Sequence, residues 1–195
     1  EGQINAVAFS ADGKLVATGG QGKQIRLWDA DSEKPLAAMG GHTNHVMSVA
    51  FSPDGRRFAA ASADTNVRLW TLAAGGASAS EPMKLAAHRQ AARAVVFLGD
   101  GEQLVSAGDD KLLVLWDAAS GRQLSSVEAH RGGIHAIAVA PDRRTFATAS
   151  HDRTAKLWTL GSGGQSLTAG ATLSGHTGPV LAAAFSPDGT TLATA

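Results

Sequence analysis

The feature that most constrains this chain is the spacing of its tryptophans and histidines. Trp28, Trp70, Trp116 and Trp158 recur at intervals of 42, 46 and 42 residues. Four of the seven histidines, His42, His88, His130 and His176, recur at intervals of 46, 42 and 46. From each of the first three of these histidines to the next tryptophan the distance is always 28 residues, while the tryptophan-to-histidine stretches alternate between 14 and 18. A fixed core with a connector that varies in length is the mark of a structural repeat, because packed strands reject insertions and loops absorb them.

Each unit opens on an apolar stretch that ends in Phe9, Phe51, Phe97, Val139 or Phe185. A turn follows: SADG, SPDG, LGDG, APDR and SPDG. Asp-Gly between apolar runs is a hairpin signal, since glycine accepts positive φ without a Cβ clash. Arg143 takes that glycine position once, which implies local strain. Short runs such as LVATG, FAAAS and LVSAG come next, then a second polar turn, then IRLW, VRLW, LVLW and AKLW. The connectors supply a fourth strand from PLAAM, MKLAA, QLSSV and ATLSG. No stretch sustains a 3.6-residue period, so little or no helix is expected. The spacing predicts four units of four strands and a fifth of two. The longer connectors, Ala73–Lys84 and Gly161–Thr172, are rich in Gly, Ser and Ala and read as mobile surface loops. Their alternation with short ones hints at a duplicated pair of units.

Such a unit cannot bury both faces of its sheet alone, but stacked neighbours bury them for one another. The first strands carry small residues, as in VMSVAF and VLAAAF, which suits the crowded centre of a radial array. Composition then excludes several functions. Seventeen basic and seventeen acidic residues leave no net charge, against a dedicated nucleic-acid binder. No apolar run approaches the roughly 18 residues of a membrane helix, so no membrane insertion is expected. The absence of cysteine removes disulfides, thiolate metal sites and a cysteine nucleophile, and leaves the compartment open. The G-x-S-x-G, Walker-type, H-E-x-x-H and G-x-G-x-x-G motifs are also missing.

The whole chain, residues 1 to 195, resembles the WD40-repeat β-propellers. Gly41-His42, Gly175-His176, Ala87-His88 and Ala129-His130 match the family's G-H position, and Trp28-Asp29 and Trp116-Asp117 its W-D. Trp70-Thr71 and Trp158-Thr159 vary the dipeptide. The resemblance implies an all-β propeller segment with approximate repeats 1–41, 42–87, 88–129, 130–175 and an incomplete 176–195. It also implies a structural tetrad of His, a Ser/Thr ten before Trp, an Asp six before Trp, and Trp. His88, Ser106, Asp110 and Trp116 make one complete set; His130, Thr148, Asp152 and Trp158 make another. The other units are partial: Thr18 and Trp28, with Gly22 at the Asp position; His42, Asp64 and Trp70, with Ala60 at the Ser/Thr position; His176 and Thr194. Counting by 28 places a first histidine just before residue 1 and a fifth tryptophan beyond Ala195. The expectation is therefore part of a larger ring, commonly seven-bladed in this family, completed by further residues or by a second chain, with an apolar face open at each end.

His88, Ser106 and Asp110 carry the groups of a hydrolytic triad. Their recurrence from unit to unit reads instead as buried hydrogen bonding that ties turn to strand. Asp109 beside Asp110 reads as a solvated turn residue, and Arg26, Arg68 and Lys156, two before Trp, as solvated strand positions. In the resembled family, three positions per repeat reach the top face around the central opening, where protein partners commonly bind. Here they include Gln3, Asn5, Gln21, His45, Met47, Ala63, Arg93, Asp109, His135, His151 and Leu181. This mixture suits a peptide contact. His135 and His151 fall close on one repeat; they lack a third metal ligand, and a pH-responsive contact is the better reading. The resemblance implies a non-catalytic scaffold for protein or peptide partners, with no catalytic residue, metal or cofactor. The alternatives are a regulatory propeller or accessory subunit of a larger assembly and, in a different class, a catalytic propeller whose site lies in further blades.

Overall fold

Each apolar run pairs with the next in the chain, because the tight turns between them leave no other partner in reach. The computed structural model describes residues 2–73 and 79–195, and eighteen strands lie among them. Blade 1 comprises β1 (Ile4–Phe9), β2 (Leu15–Gly20), β3 (Ile25–Asp29) and β4 (Pro35–Met39). Blade 2 comprises β5 (Val46–Phe51), β6 (Arg57–Ser62), β7 (Val67–Thr71) and β8 (Met83–Leu85). Blade 3 comprises β9 (Ala92–Leu98), β10 (Gln103–Gly108), β11 (Leu112–Asp117) and β12 (Gln123–Glu128). Blade 4 comprises β13 (Ile134–Val139), β14 (Thr145–Ser150), β15 (Ala155–Leu160) and β16 (Leu167–Leu173). β17 (Ala183–Phe185) and β18 (Leu192–Thr194) form a fifth, two-stranded sheet. Strands follow chain order within every sheet, and each pairing is antiparallel. The fold is all-β, as the repeat predicts; among the described residues no helix is long and apolar enough to cross a membrane.

The blades meet through their first strands: β1 against β5, β5 against β9, β9 against β13, and β13 against β17. Three apolar clusters fill the gaps. Ile25, Leu27 and Met39 of blade 1 pack with Val46, Phe58 and Trp70 of blade 2. Val67, Leu69 and Leu85 of blade 2 pack with Val95, Phe97 and Trp116 of blade 3. Leu113 and Leu115 of blade 3 pack with Ile134, Phe146 and Trp158 of blade 4. Within β6, Phe58 and Ala60 join one cluster and Ala59 and Ala61 the next, so both faces of the strand are buried. That is why the middle strands read as runs of small and apolar residues rather than as an apolar-polar alternation. The outermost strands β12 and β16 are largely exposed, whereas β4 buries Met39 and half-buries Leu36 and Ala37 against the blade 1–2 cluster. Ala6 and Ala8 of β1 face the blade 1–2 cluster, whereas Val7 and Phe9 are each 63% exposed. Their counterparts Val95 and Phe97 face the preceding blade and are buried.

Two expectations about the connectors need correction. The fourth strand of blade 4 contains residues 171–173 of ATLSG but starts earlier, at Leu167, so the second half of the Gly161–Thr172 segment is strand, not loop. A register shift between Lys156 and Trp158 accommodates it, with Gly170 under the Leu157 carbonyl, where an added Cβ would stand 3.2 Å from the oxygen. A glycine that reads as loop composition is here a bulge residue. In blade 2 the strand begins at Met83 and ends at Leu85, and Leu72 bridges Ala79. Residues 74–78 of the Ala73–Lys84 connector lie outside the described residues.

The first turn of each blade uses the left-handed region. Gly13, Gly55, Gly101 and Gly189 have φ of 73°, 68°, 93° and 72°, and Arg143 has 56°. The Arg143 side chain is exposed, and its carbonyl accepts the Gly99 N–H of the neighbouring blade at 2.7 Å. The position is therefore fixed by its backbone. We expect Arg143→Gly to stabilise the protein by about 0.5–1 kcal/mol, the excess of the left-handed penalty over the glycine's added unfolded-state entropy. Urea unfolding measures it.

Candidate functional site

In each complete unit a chain of hydrogen bonds crosses from turn to strand. In blade 3, Trp116 Nε1–H donates to Ser106 Oγ at 2.9 Å; the hydroxyl and His88 Nε2 are 2.8 Å apart, and His88 Nδ1 is 3.0 Å from Asp110 Oδ1. In blade 4, Trp158 Nε1–H donates to Thr148 Oγ1 at 3.0 Å, with 2.7 Å from that oxygen to His130 Nε2 and 3.0 Å from His130 Nδ1 to Asp152. Every atom has a partner of the right kind when the imidazole is neutral with its proton on Nδ1: the hydroxyl donates to Nε2, and Nδ1–H donates to the carboxylate. The carboxylates also accept the amide following each histidine, Arg89 and Arg131 respectively, both at 2.9 Å. Ser106 and Thr148 are fully buried.

The partial units keep fragments of this chain. Trp28 donates to Thr18 at 3.0 Å in blade 1, and His176 Nε2 lies 2.8 Å from Thr194 Oγ1. A cleft of about 500 Å³ lined by Thr18, Gly20, Gly22, Arg26 and Trp28 opens at this end of blade 1. In blade 2, His42 Nδ1 reaches Asp64 at 2.9 Å, but Ala60 offers no hydroxyl. His42 sits against the Ala60 backbone, and its Nε2 is buried without a hydrogen-bond partner.

The electrostatics favour neutral histidine beside charged aspartate. Burial holds His42 and His130 below the ordinary value of 6.5, and Arg68 and Lys156 beside them push the same way. Burial works against the Asp152 carboxylate, yet hydrogen bonds from Thr154, the Arg131 amide and His130 bring it down to about 2. Lys156 and Arg68 are thus not solvated strand positions. Lys156 Nζ donates to the Ala129 carbonyl at 2.6 Å, and the Arg68 guanidinium lies against Gly41, with Nε buried. Lys156 thereby ties down the loop that carries His130, while Arg68 packs against the loop that carries His42.

The surface above these chains is built by a recurring irregularity. In blade 1, Ile4 pairs with Gly20 and Ala6 with Gly19, so Asn5 is an extra residue in its strand. The same bulge leaves out Met47 in blade 2, Arg93 in blade 3 and His135 in blade 4. Just before each bulge, the carbonyls of Gln3, His45, Ala91 and Gly133 accept the amides of Gln21, Ala63, Asp109 and His151, all at 2.9 Å. A bulge re-aims a side chain and increases local twist. These positions follow from the family resemblance alone; the spacing carries no sign of the bulge.

Several of the assigned residues are engaged with one another. Arg93 grips both oxygens of Asp109 with contacts of 2.8–3.0 Å, so Asp109 is not a free, solvated turn residue. Asn5 donates to the Val46 carbonyl at 3.1 Å, linking blades 1 and 2. Gln21 donates to Gln3 at 3.3 Å. The rings of His135 and His151 stand 4.2 Å apart, inclined by 31°. Burial, then His151 and Arg93, lower the pKa of His135, and its Nε2 has no partner. His45, His151 and Leu181 are exposed, and Met47 is half-buried. The second turn also holds Lys23, Thr65, Lys111 and Arg153 at φ of 62–72°, a strained conformation that their residue types do not announce. Among the described residues no three His, Asp or Glu side chains are placed to hold a metal ion.

Two expectations follow from the hydrogen-bonded chains. Ala60→Ser should stabilise the protein by about 1 kcal/mol by giving His42 Nε2 a partner, and Ser106→Ala should destabilise it by about 2 kcal/mol by leaving His88 and Trp116 unpaired. Thermal unfolding of both variants reads the opposite signs. Stability should also fall with acid in two steps. The unfolded chain binds more protons than the native one once the pH drops below the ordinary histidine value of 6.5, because His42 and His130 are depressed in the fold. A second loss comes as the pH falls from 3.8 towards the folded value of about 2 for Asp152. Urea midpoints against pH, flat above neutrality, measure both.

Comparison with known proteins agrees with this architecture. The family model described as WD domain, G-beta repeat matches five times, at residues 1–29, 33–71, 80–117, 121–159 and 168–195. An uncharacterized WD repeat-containing protein of Nostoc sp. is 47% identical over 47 residues, which is 24% of this chain and 3% of that protein. The general transcriptional corepressor TUP1 of Saccharomyces cerevisiae is 40% identical over 45 residues, 23% of this chain and 6% of that protein. Each match therefore spans about one repeat, and this chain covers a small fraction of either relative. With repeat matches across its length and the blade architecture that they imply, the chain belongs to the WD40 family of repeat proteins.

Proposed function

We propose that this chain is a non-catalytic interaction scaffold that binds partner proteins or peptides through the face bearing the bulged residues. The observation that carries this reading is the bulge itself. Four blades each push one side chain out of the ladder at the same level, Asn5, Met47, Arg93 and His135, beside the turns of Gln21, Ala63, Asp109 and His151. Bulges recur next to binding and active sites, where they re-aim a side chain. The face mixes amides, Met, Arg and His, a composition suited to peptide contacts.

The His88, Ser106 and Asp110 group is a structural element in this reading. Ser106 is fully buried and accepts the Trp116 N–H, so its hydroxyl lies out of a substrate's reach. WD40 repeats typically serve as interaction modules, and one relative is named as a transcriptional corepressor, a regulatory role in keeping with a scaffold.

Selection of peptides from a random displayed library tests the proposal. Enriched peptides should bind the unmodified chain and lose at least about tenfold in affinity to a Met47→Glu/His135→Ala variant, by truncation of central contacts. They should bind Arg56→Ala/Arg144→Ala, altered in the first turns at the opposite end of the blades, unchanged. Peptides indifferent to the first variant, or no enrichment at all, would contradict it.

A further inference from the structure

The chain has no net charge, but its charges are not evenly spread. At the bulged end of blades 3 and 4, three carboxylates are already taken. Asp109 is held by Arg93, Asp110 by His88 and the Arg89 amide, and Asp152 by His130, Thr154 and the Arg131 amide. The side chains of Arg89, Lys111, Arg131 and Arg153, in the same turns, have no carboxylate partner among the described residues. Glu128 lies at the same end of blade 3, paired with Leu112 beside Lys111, but on the outermost strand β12, at the far edge of the sheet from β9. The opposite turns mix Asp12, Asp29, Asp54, Asp100, Asp117 and Asp142 with Lys14, Lys34, Arg56, Arg57, Arg122, Arg143 and Arg144, so no unopposed basic cluster forms there.

Between blades 3 and 4 sits the histidine pair. His135, on β13, is flanked by His151 from its own blade and by Arg93 and Asp109 from blade 3. The neighbouring strands β14 and β17 bring no titratable group. Two imidazoles at 4.2 Å resist double protonation unless an anion shares the charge. Arg93 is satisfied by Asp109, which leaves no free guanidinium fork at the floor for a phosphate dianion. No Trp, Tyr or Phe lies in these turns to stack a base, as single-stranded nucleic acid requires.

We propose that the bulged end of blades 3 and 4 binds an acidic peptide segment, whose carboxylate is received by His135 and His151 and whose flanking charges meet Arg131 and Arg153, with affinity that rises as the pair is protonated. This rests on the interaction reading above and adds the partner's chemistry and its regulation.

Fluorescence anisotropy of the full chain tests it with three labelled probes: a Glu/Ser dodecapeptide, its Gln/Ser counterpart and a twelve-residue oligothymidine. At about 0.15 M salt the glutamate peptide should bind at least about tenfold tighter than the glutamine peptide at pH about 5.5, and about tenfold tighter there than at pH about 7.5. His135→Ala/His151→Ala, and the milder His135→Gln/His151→Gln, should reduce that pH dependence to less than about twofold at an unchanged melting temperature. Arg131→Ala/Arg153→Ala should weaken binding at every pH and keep the slope. Equal binding of the glutamine peptide, a pH slope that survives both histidine variants, or tighter binding of oligothymidine would overturn the proposal. Library peptides that depend on the bulged face but lack Asp and Glu would defeat the acidic partner and leave the scaffold reading standing; peptides indifferent to that face would defeat both.

Discussion

Everything in this molecule depends on sheets burying their faces against one another. A four-stranded antiparallel unit of some forty residues has two apolar faces and no third layer of its own. β6 shows the consequence: Phe58 and Ala60 belong to one inter-blade cluster, Ala59 and Ala61 to the next. The same constraint dictates small side chains near the first strands, where blades converge, and leaves the outer strands β12 and β16 largely exposed. It also explains why Val7 and Phe9, on the face of blade 1 turned away from blade 2, are exposed while Val95 and Phe97 are buried.

Within that frame the buried histidine chains set the height of the turns. Asp110 and Asp152 accept hydrogen bonds from a histidine in one loop and from the amide after it, so two separate turns are held together at a buried junction. Neutral imidazole with its proton on Nδ1 satisfies the whole chain, and burial, with the nearby charges of Arg68 and Lys156, favours that form at His42 and His130. Blade 2 shows the junction tolerating one missing hydroxyl, with His42 Nε2 left unpaired. Above the junction, the bulge turns Asn5, Met47, Arg93 and His135 out of the ladder. The scaffold proposal thus joins packing to function: the turns made rigid below are what position the side chains presented above.

Much of this was legible in the residues. The Trp and His spacings and the Asp-Gly turns announce the blade and its strand count, because a period in sequence must become a period in packing. The nearness of His135 and His151 was anticipated through the family resemblance that puts both positions on one face of a repeat, not through spacing. Other features left no local signal. Asp109 looked solvated because its partner, Arg93, reaches it through the bulge rather than through any sequence pattern. Lys156 looked like a surface lysine because the Ala129 carbonyl that it meets is brought beside it only by the fold. Gly170 looked like loop because glycine marks bulges and loops alike. Each miss concerns a contact made by tertiary geometry, which one repeat's sequence does not encode.

The central claim is that the bulged end of the blades is where this chain meets its partners. Hydrogen–deuterium exchange of the chain, alone and saturated with a selected peptide, tests that claim most directly. The account predicts added protection at the starts of β5, β9 and β13 and in the turns around Asp109 and His151. Protection confined to the first turns around Gly55 and Arg143, or to the outer strands β12 and β16, would contradict it.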